Sequence, residues 1–128
     1  TVTNISWHSA TTAANTPTNW AFGLYDSSRN LLANTANQTT TAWAANTIQT
    51  IAVGTPYVVT TTGLYYIGMY MTATAVITSK GGVTITNGTL AGTAPILHGI
   101  SSTGLTTTLP NPAAAITSGL VTAWCAVT

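Results

Sequence analysis

The side chains able to carry out chemistry are few, and their spacing does not favour catalysis. Asp26 is the only side-chain carboxylate in the 128 residues, whereas acid–base catalysis by paired carboxylates needs two. It lies in the sequence DSSRN, which is typical of a turn, where Asp bonds to its own backbone. A Ser-His-Asp triad would have to combine Asp26 with His8 or His98, and no Gly-x-Ser-x-Gly motif accompanies them. We therefore predict no catalytic residue and no enzyme activity.

Metal ligands are equally scarce. His8, His98, Asp26 and Cys125 are the candidates, and no two of them have the spacing of a Cys-x-x-Cys or His-x-x-x-His site. In a trimer, three copies of His98 could meet on the symmetry axis and hold an ion, which the sequence permits without indicating it; His8 is the weaker candidate. Cys125 is the only cysteine, and we interpret it as a small buried thiol. We expect neither a metal site nor a bound cofactor.

Aromatic side chains are the remaining candidates for binding, because their rings stack on sugars as well as on core neighbours. The chain has four Trp residues. Trp20 and Trp124 lie in apolar strand segments, which favours a place in the core. Trp43 lies in a polar stretch and is the Trp that we expect to be most exposed. It is either an anchor for its loop or a contact to a partner or a glycan.

The composition favours a structural or assembly role. Thr occurs 30 times and Ala 19 times, and the only charged side chains are those of Asp26, Arg29 and Lys80. Solubility normally depends on net charge, so a subunit fixed in a large assembly tolerates this composition better than a free monomer. Two cationic side chains cannot neutralise a phosphate backbone, which excludes ordinary nucleic-acid binding. No apolar run reaches the roughly 20 residues that spanning a bilayer requires.

The strongest strand signal lies at 57–74, YVVTTTGLYYIGMYMTAT, where Tyr and β-branched side chains dominate. Strand alternation gives it two faces. One face carries Tyr65, Ile67, Met69, Met71 and Ala73, and the other carries Leu64, Tyr66, Gly68, Tyr70 and Thr72. Neither face is charged, so we expect both to be covered and the stretch to be a central strand.

The second face of this stretch is the candidate subunit interface. Tyr66 and Tyr70 flank Gly68 there, and Tyr is enriched at interfaces because it is apolar with one polar tip. Gly68 would let another backbone or ring approach closely. The alternative is that a second sheet of the same subunit covers this face.

Short strand candidates separated by turns continue along the chain, apart from 101–118, whose composition with Pro110 and Pro112 is loop-like. The segment 19–34 reads as a hairpin whose five-residue loop is 26–30, and Asn87-Gly88 is a second hairpin signal. No segment shows a 3.6-residue apolar period. We therefore predict an all-β fold, an antiparallel β-sandwich or jelly roll of about eight or nine short strands. One domain covers residues 1–128, and because the first residue is Thr1 we expect the chain to be processed or to be a piece of a longer polypeptide.

Two segments also carry a family resemblance. NWAFGLYDSSRNLLANT resembles the Trp-x-x-x-Leu-Tyr-Asp-x-x-x-Asn-Leu-Leu-Ala hairpin of C-terminal β-sandwich domains in tail and fibre proteins of phages that infect actinobacteria. The likeness continues through ANTIQTIAVGTPYVVTTTGLYYIGMYMTAT. PILHGISSTGLTTTLP and AITSGLVTAWCAV are similar as well. More loosely, the Gly-x-Tyr-Tyr strand resembles the trimeric jelly rolls of the complement and tumour-necrosis-factor type.

The resemblance implies a structural protein of the virion, located on the particle surface outside the host cell, of which residues 1–128 are the C-terminal part. It implies a homotrimer that contacts other virion proteins, with no membrane insertion and no catalytic residues. The expected task is attachment to the host surface as a receptor-binding domain of a tail fibre or minor tail protein, with a cell-surface glycan as a candidate partner. The alternatives are a capsid decoration protein with a mechanical role and a carbohydrate-binding module.

Overall fold

The computed structural model describes residues 1–81, 99–118 and 123–128. Within these ranges the chain consists of β-strands and irregular segments without a helix, which confirms the all-β prediction. None of these segments forms a helix of the length and apolarity that crossing a bilayer requires. Predictions that fall on 82–98 and 119–122, including the Asn87-Gly88 hairpin and the axial His98, lie outside the described residues.

The described strands form two antiparallel sheets of three strands and one short ribbon. The first sheet has the order β4-β1-β8, the second sheet has the order β3-β2-β5, and the ribbon pairs β6 with β7. The bounds are Val2–His8 for β1, Asn19–Tyr25 for β2, Leu31–Asn34 for β3, Ile48–Tyr57 for β4, Tyr66–Thr72 for β5, Gly99–Ile100 for β6, Thr117–Ser118 for β7 and Cys125–Val127 for β8.

The predicted number of strands was too high for the sheets. Six strands build the two sheets in the described ranges, and the ribbon adds only two segments of two residues each. The segment 101–116 runs as an irregular segment over the second sheet, which agrees with its loop-like composition. Its carbonyls accept hydrogen bonds from the side chains of Tyr70 and Thr72 instead of pairing with a neighbouring strand.

The hairpin predicted at 19–34 is confirmed. β2 and β3 pair antiparallel, with a register shift between Leu24 and Tyr25. Asp26 Oδ1 accepts a hydrogen bond from Asn30 N at 2.9 Å, and Asp26 Oδ2 accepts one from Asn30 Nδ2 at 2.9 Å. Arg29 adopts a left-handed backbone with φ of 70°, so the carboxylate and one strained residue together close the turn.

The core cluster takes side chains from both sheets. The first sheet contributes Ile5, Trp7 and Val53, and the second contributes Trp20, Phe22 and Leu24, all of them buried. The rings of Trp7 and Phe22 stack across the core with centroids 6.3 Å apart. Trp20, Phe22 and Leu24 alternate along β2 and therefore share its inward face.

Within the described ranges, the stretch expected to be the central strand lies at an edge of its sheet. Strand β5 begins at Tyr66 and pairs with β2 alone among the described residues. The central place belongs to β2, in which every residue from Trp20 to Tyr25 is buried. The physical reason is that the hairpin supplies β2 with β3 on one side, which leaves the other side of β2 for β5.

The face assignment within β5 agrees with the structure. Ile67, Met69 and Met71 pack against the core. On the opposite face, the hydroxyl of Thr72 donates to Leu105 O at 3.3 Å, so this face is covered by the 101–116 segment of the same chain. The cover fits closely, because a Cβ atom added at Gly23 would lie 2.8 Å from Leu109 Cδ1.

Candidate functional site

Trp43, predicted to be the most exposed Trp, is fully buried. Its exposed fraction is 0%, and its ring centroid lies 4.9 Å from that of Trp20 and 5.7 Å from that of Phe22. Its Nε1 donates a hydrogen bond to Thr47 O at 3.3 Å. The neighbours on both sides stay exposed because a single large ring is enough to anchor a loop. This corrects the alternative of a partner or glycan contact, since Trp43 has no surface for one.

The two tyrosines of the candidate subunit interface have different surroundings. Tyr70 is 5% exposed, and its hydroxyl lies 2.6 Å from Thr107 O and 2.9 Å from Asn37 Oδ1. Burial also raises the pKa of Tyr70. Tyr66 is only half-buried. Because Tyr70 is covered within its own chain, Tyr66 is the member of the pair that retains surface for a second subunit.

The ionisable side chains that the sequence singled out do not come together. In the described ranges, no group of three His, Cys, Asp or Glu side chains is placed to hold a metal ion. Asp26 closes the β2–β3 turn, and the side chain of Asn30 beside it holds the pKa of its carboxyl below the usual value. Cys125 packs against the core, and burial raises the pKa of its thiol.

The structure forms one exposed surface that the sequence did not single out, the outer face of the first sheet. Because Ile5 and Trp7 point into the core, strand alternation turns the residues between and beyond them outward. The outer face consists of Asn4, His8, Ile48, Thr50, Ala52, Trp124, Ala126 and Thr128, and Ser6, which is only 7% exposed, lies buried among them. Cross-strand hydrogen bonds hold it together, with Ser6 Oγ 2.8 Å from Thr50 Oγ1 and Asn4 Nδ2 donating to Thr128 Oγ1 at 3.3 Å.

One edge of the outer face is apolar and aromatic. Trp124 is 44% exposed and Ile48 is 50% exposed. His8 lies between them: it is the register partner of Ile48, and its ring meets the Trp124 ring edge-on at 5.9 Å. The segment around Lys80 supports this edge, because Lys80 N donates to His8 O at 2.8 Å and Trp124 N donates to Lys80 O at 2.6 Å.

The outer face therefore combines one exposed indole with neutral hydrogen-bonding groups. None of the side chains that form it belongs to Asp, Glu, Lys or Arg. An aromatic ring offers a flat apolar contact, and nearby Asn and Thr side chains offer donors and acceptors. Such a surface suits a neutral polyhydroxylated ligand better than an ionic one.

Trp124 was expected in the core, and the structure corrects this. The apolar neighbours of Trp124 suggested burial, but strand alternation places Trp124 on the face opposite to Ala123 and Cys125, which do pack against the core. The period-two pattern was thus the reliable signal, and the hydrophobicity of the surrounding residues was not.

No protein-family model, curated protein or solved structure matches this chain, so its function has to be inferred from its own surfaces.

Proposed function

We propose that this chain is a non-catalytic domain of a bacteriophage particle that attaches the virion to its host by binding a neutral glycan on the cell surface. The observation that carries the proposal is the exposed indole of Trp124 on an uncharged sheet face. The expected location is the tip of a tail fibre or a minor tail protein. The sequence resemblance to tail and fibre proteins supports the phage context.

The domain is, in this proposal, a β-sandwich of the jelly-roll type. Its support is the single apolar cluster that draws on both three-stranded sheets. The stacked pair Trp7 and Phe22 spans that cluster from one sheet to the other. Side chains that interdigitate between two facing sheets are how a sandwich builds its core. The outer face of the first sheet then remains available for binding.

The domain acts as a homotrimer in contact with other virion proteins. Because each chain has a net charge of only +1, identical chains repel each other little when they pack closely. Three linked weak sites reach an avidity far beyond that of one site. Light scattering should give the mass of a trimer for the unmodified chain and a lower mass for Tyr66→Ser. A monomeric unmodified chain would contradict this part of the proposal.

The binding proposal is tested with labelled protein on actinobacterial cells and on glycans released from their walls. Trp124→Ala should weaken cell binding by at least about tenfold, as expected when a central aromatic contact is removed. The matched control is Val76→Ala, which removes an equally exposed apolar side chain, 52% exposed, outside the outer face. Thermal unfolding checks that both variants remain folded.

The alternative of a capsid decoration protein predicts a different pattern. In that case neither the unmodified chain nor the variants would bind cells, and labelled antibody would locate the chain on the capsid shell of intact particles. Saturable cell binding that is equal for the unmodified chain and Trp124→Ala would refute the outer face as the attachment site while keeping attachment itself.

A further inference from the structure

A cavity of about 340 Å³ lies beside the β2–β3 turn and is separate from the outer face of the first sheet. Its walls are largely apolar and come from distant parts of the chain. They include Trp7, Tyr25, Tyr66, Met69 and Ile116, with Arg29 at the turn. This volume is near the lower end of the range of small-molecule sites. We call it the Arg29 cavity.

The cationic group of this cavity has no counter-ion among the side chains of the molecule. Arg29 Nε donates to Ala113 O at 3.1 Å, and Ala113 N donates to Arg29 O at 2.9 Å, so the residue is held in place. The only acidic side chain, that of Asp26, accepts hydrogen bonds from Asn30 instead. The terminal amino groups of the guanidinium therefore keep their donors without a partner in the described ranges.

A second polar group of the cavity is buried and also lacks a partner. Tyr25 is 5% exposed, and its hydroxyl has no hydrogen-bond partner among the described residues. Burial raises the pKa of Tyr25 to about 12, so the hydroxyl remains a donor at neutral pH. Buried donors are normally paired, and an unpaired one in a native structure calls for an explanation. A bound acceptor would supply it.

We propose that the Arg29 cavity binds a small carboxylate with a compact apolar body. The guanidinium of Arg29 would bind the carboxylate through two parallel N–H···O bonds, because the spacing of the guanidinium N–H groups matches that of the two carboxylate oxygens. The hydroxyl of Tyr25 would donate to the same acceptor group, and the rings and Met69 would enclose the apolar body. The inference stands independently of the proposed glycan binding, because the two sites share no residue.

The test uses phenylacetate as the probe and its uncharged amide, phenylacetamide, as the matched probe. Calorimetric titration at low ionic strength should give saturable binding of phenylacetate and at least about tenfold weaker binding of phenylacetamide, since a hydrogen bond between charged groups contributes more than a neutral one. Equal affinity for the two probes would overturn the proposal, as would no saturable binding of phenylacetate up to about 10 mM.

Variants identify which side chains of the Arg29 cavity bind phenylacetate. Arg29→Gln should weaken phenylacetate binding at least about tenfold, whereas Lys80→Gln removes the same charge elsewhere and should leave it unchanged. Equal affinities in these two variants would overturn the proposal. Tyr25→Phe should weaken binding roughly three- to tenfold without lowering the thermal midpoint, because the lost hydroxyl had no partner in the protein. The two probes on the unmodified chain keep the test decisive should Arg29→Gln fail to fold.

Discussion

At the scale of single residues, the four tryptophans divide by the direction of their side chains and not by the polarity of their neighbours. The three buried ones have partners for their indole N–H groups: Ser79 Oγ for Trp7 at 3.0 Å, Thr41 O for Trp20 at 3.1 Å and Thr47 O for Trp43 at 3.3 Å. A large apolar ring with a satisfied donor is stable in a core. The fourth tryptophan, Trp124, lies at the surface.

Truncating Trp43 should therefore destabilise the protein much more than truncating Trp124. Trp43→Ala leaves a large cavity beside Trp20 and Phe22 and should cost about 3 to 5 kcal/mol in the free energy of unfolding. Trp124→Ala should cost less than about 1 kcal/mol, because an exposed side chain contributes little to packing. Urea unfolding of the two variants measures both values, and a similar loss in each would contradict the burial difference.

At the scale of secondary structure, the second sheet depends on β2 more than on β5. Strand β2 has a neighbour on each side, whereas β5 pairs with β2 alone in the part of the chain that the structure describes. The outer side of this sheet is covered by the irregular segment 101–116, and the bond from Tyr70 to Thr107 O, at 2.6 Å, holds the middle of that segment. A side chain in β2 thus contacts neighbours in more directions than one in β5.

This difference predicts an order of stability for two variants of the same sheet. Phe22 is 0% exposed, and Phe22→Ala should cost about 3 to 5 kcal/mol. Ile67 is only partly buried, so Ile67→Ala should cost about 2 kcal/mol, at the low end for such a change. Thr61→Ala, at an exposed position before β5, is the control and should cost less than about 0.5 kcal/mol. A larger loss of unfolding free energy for Ile67→Ala than for Phe22→Ala would indicate that the sheet depends on β5 more than on β2.

At the scale of the whole molecule, the scarcity of charge governs the response to solution conditions. Proton linkage needs groups whose pKa differs between the folded and unfolded states. Salt acts on charge pairs. With one acidic and two basic side chains, the chain offers little for either effect. We expect the thermal midpoint to change little between about pH 5 and pH 8 and from low to high salt.

Above that range the stability should fall. Burial raises the pKa of Tyr25 from 10.0 to about 12 and also raises the pKa of Tyr70 and of Cys125. The folded state then holds protons that the unfolded state releases, so stability begins to fall as the pH passes 9.0 for the thiol and 10.0 for the tyrosines, and the contribution of Tyr25 is lost as the pH rises through about 12. Asp26 acts in the opposite sense: because its folded pKa is lowered, its contribution is lost only in acid.

Thermal unfolding across the alkaline range tests this linkage. Tyr25→Phe should show a shallower loss of midpoint above about pH 10 than the unmodified chain. The matched control is Thr62→Ala, an exposed position without a titratable group, which should retain the full alkaline loss. An alkaline profile that is the same in Tyr25→Phe and in the unmodified chain would show that Tyr25 titrates normally.

The sequence by itself determined the features that depend on neighbours along the chain. The all-β class, the 19–34 hairpin and the inward faces of β2 and β5 follow from period-two alternation and from the turn chemistry of Asp26, and both act over a few residues. The absence of paired carboxylates and the scarcity of charge are also properties of the sequence alone.

Only the tertiary structure decided which strand is central, which Trp is exposed and what covers Tyr70. These outcomes depend on contacts between residues far apart in the chain, such as Trp7 with Phe22 and Tyr70 with Thr107. Alternation tells which side chains share a face, but it carries no information about which distant segment will cover that face. The outer face and the Arg29 cavity are each assembled from several such segments, and for that reason the sequence alone did not indicate either one.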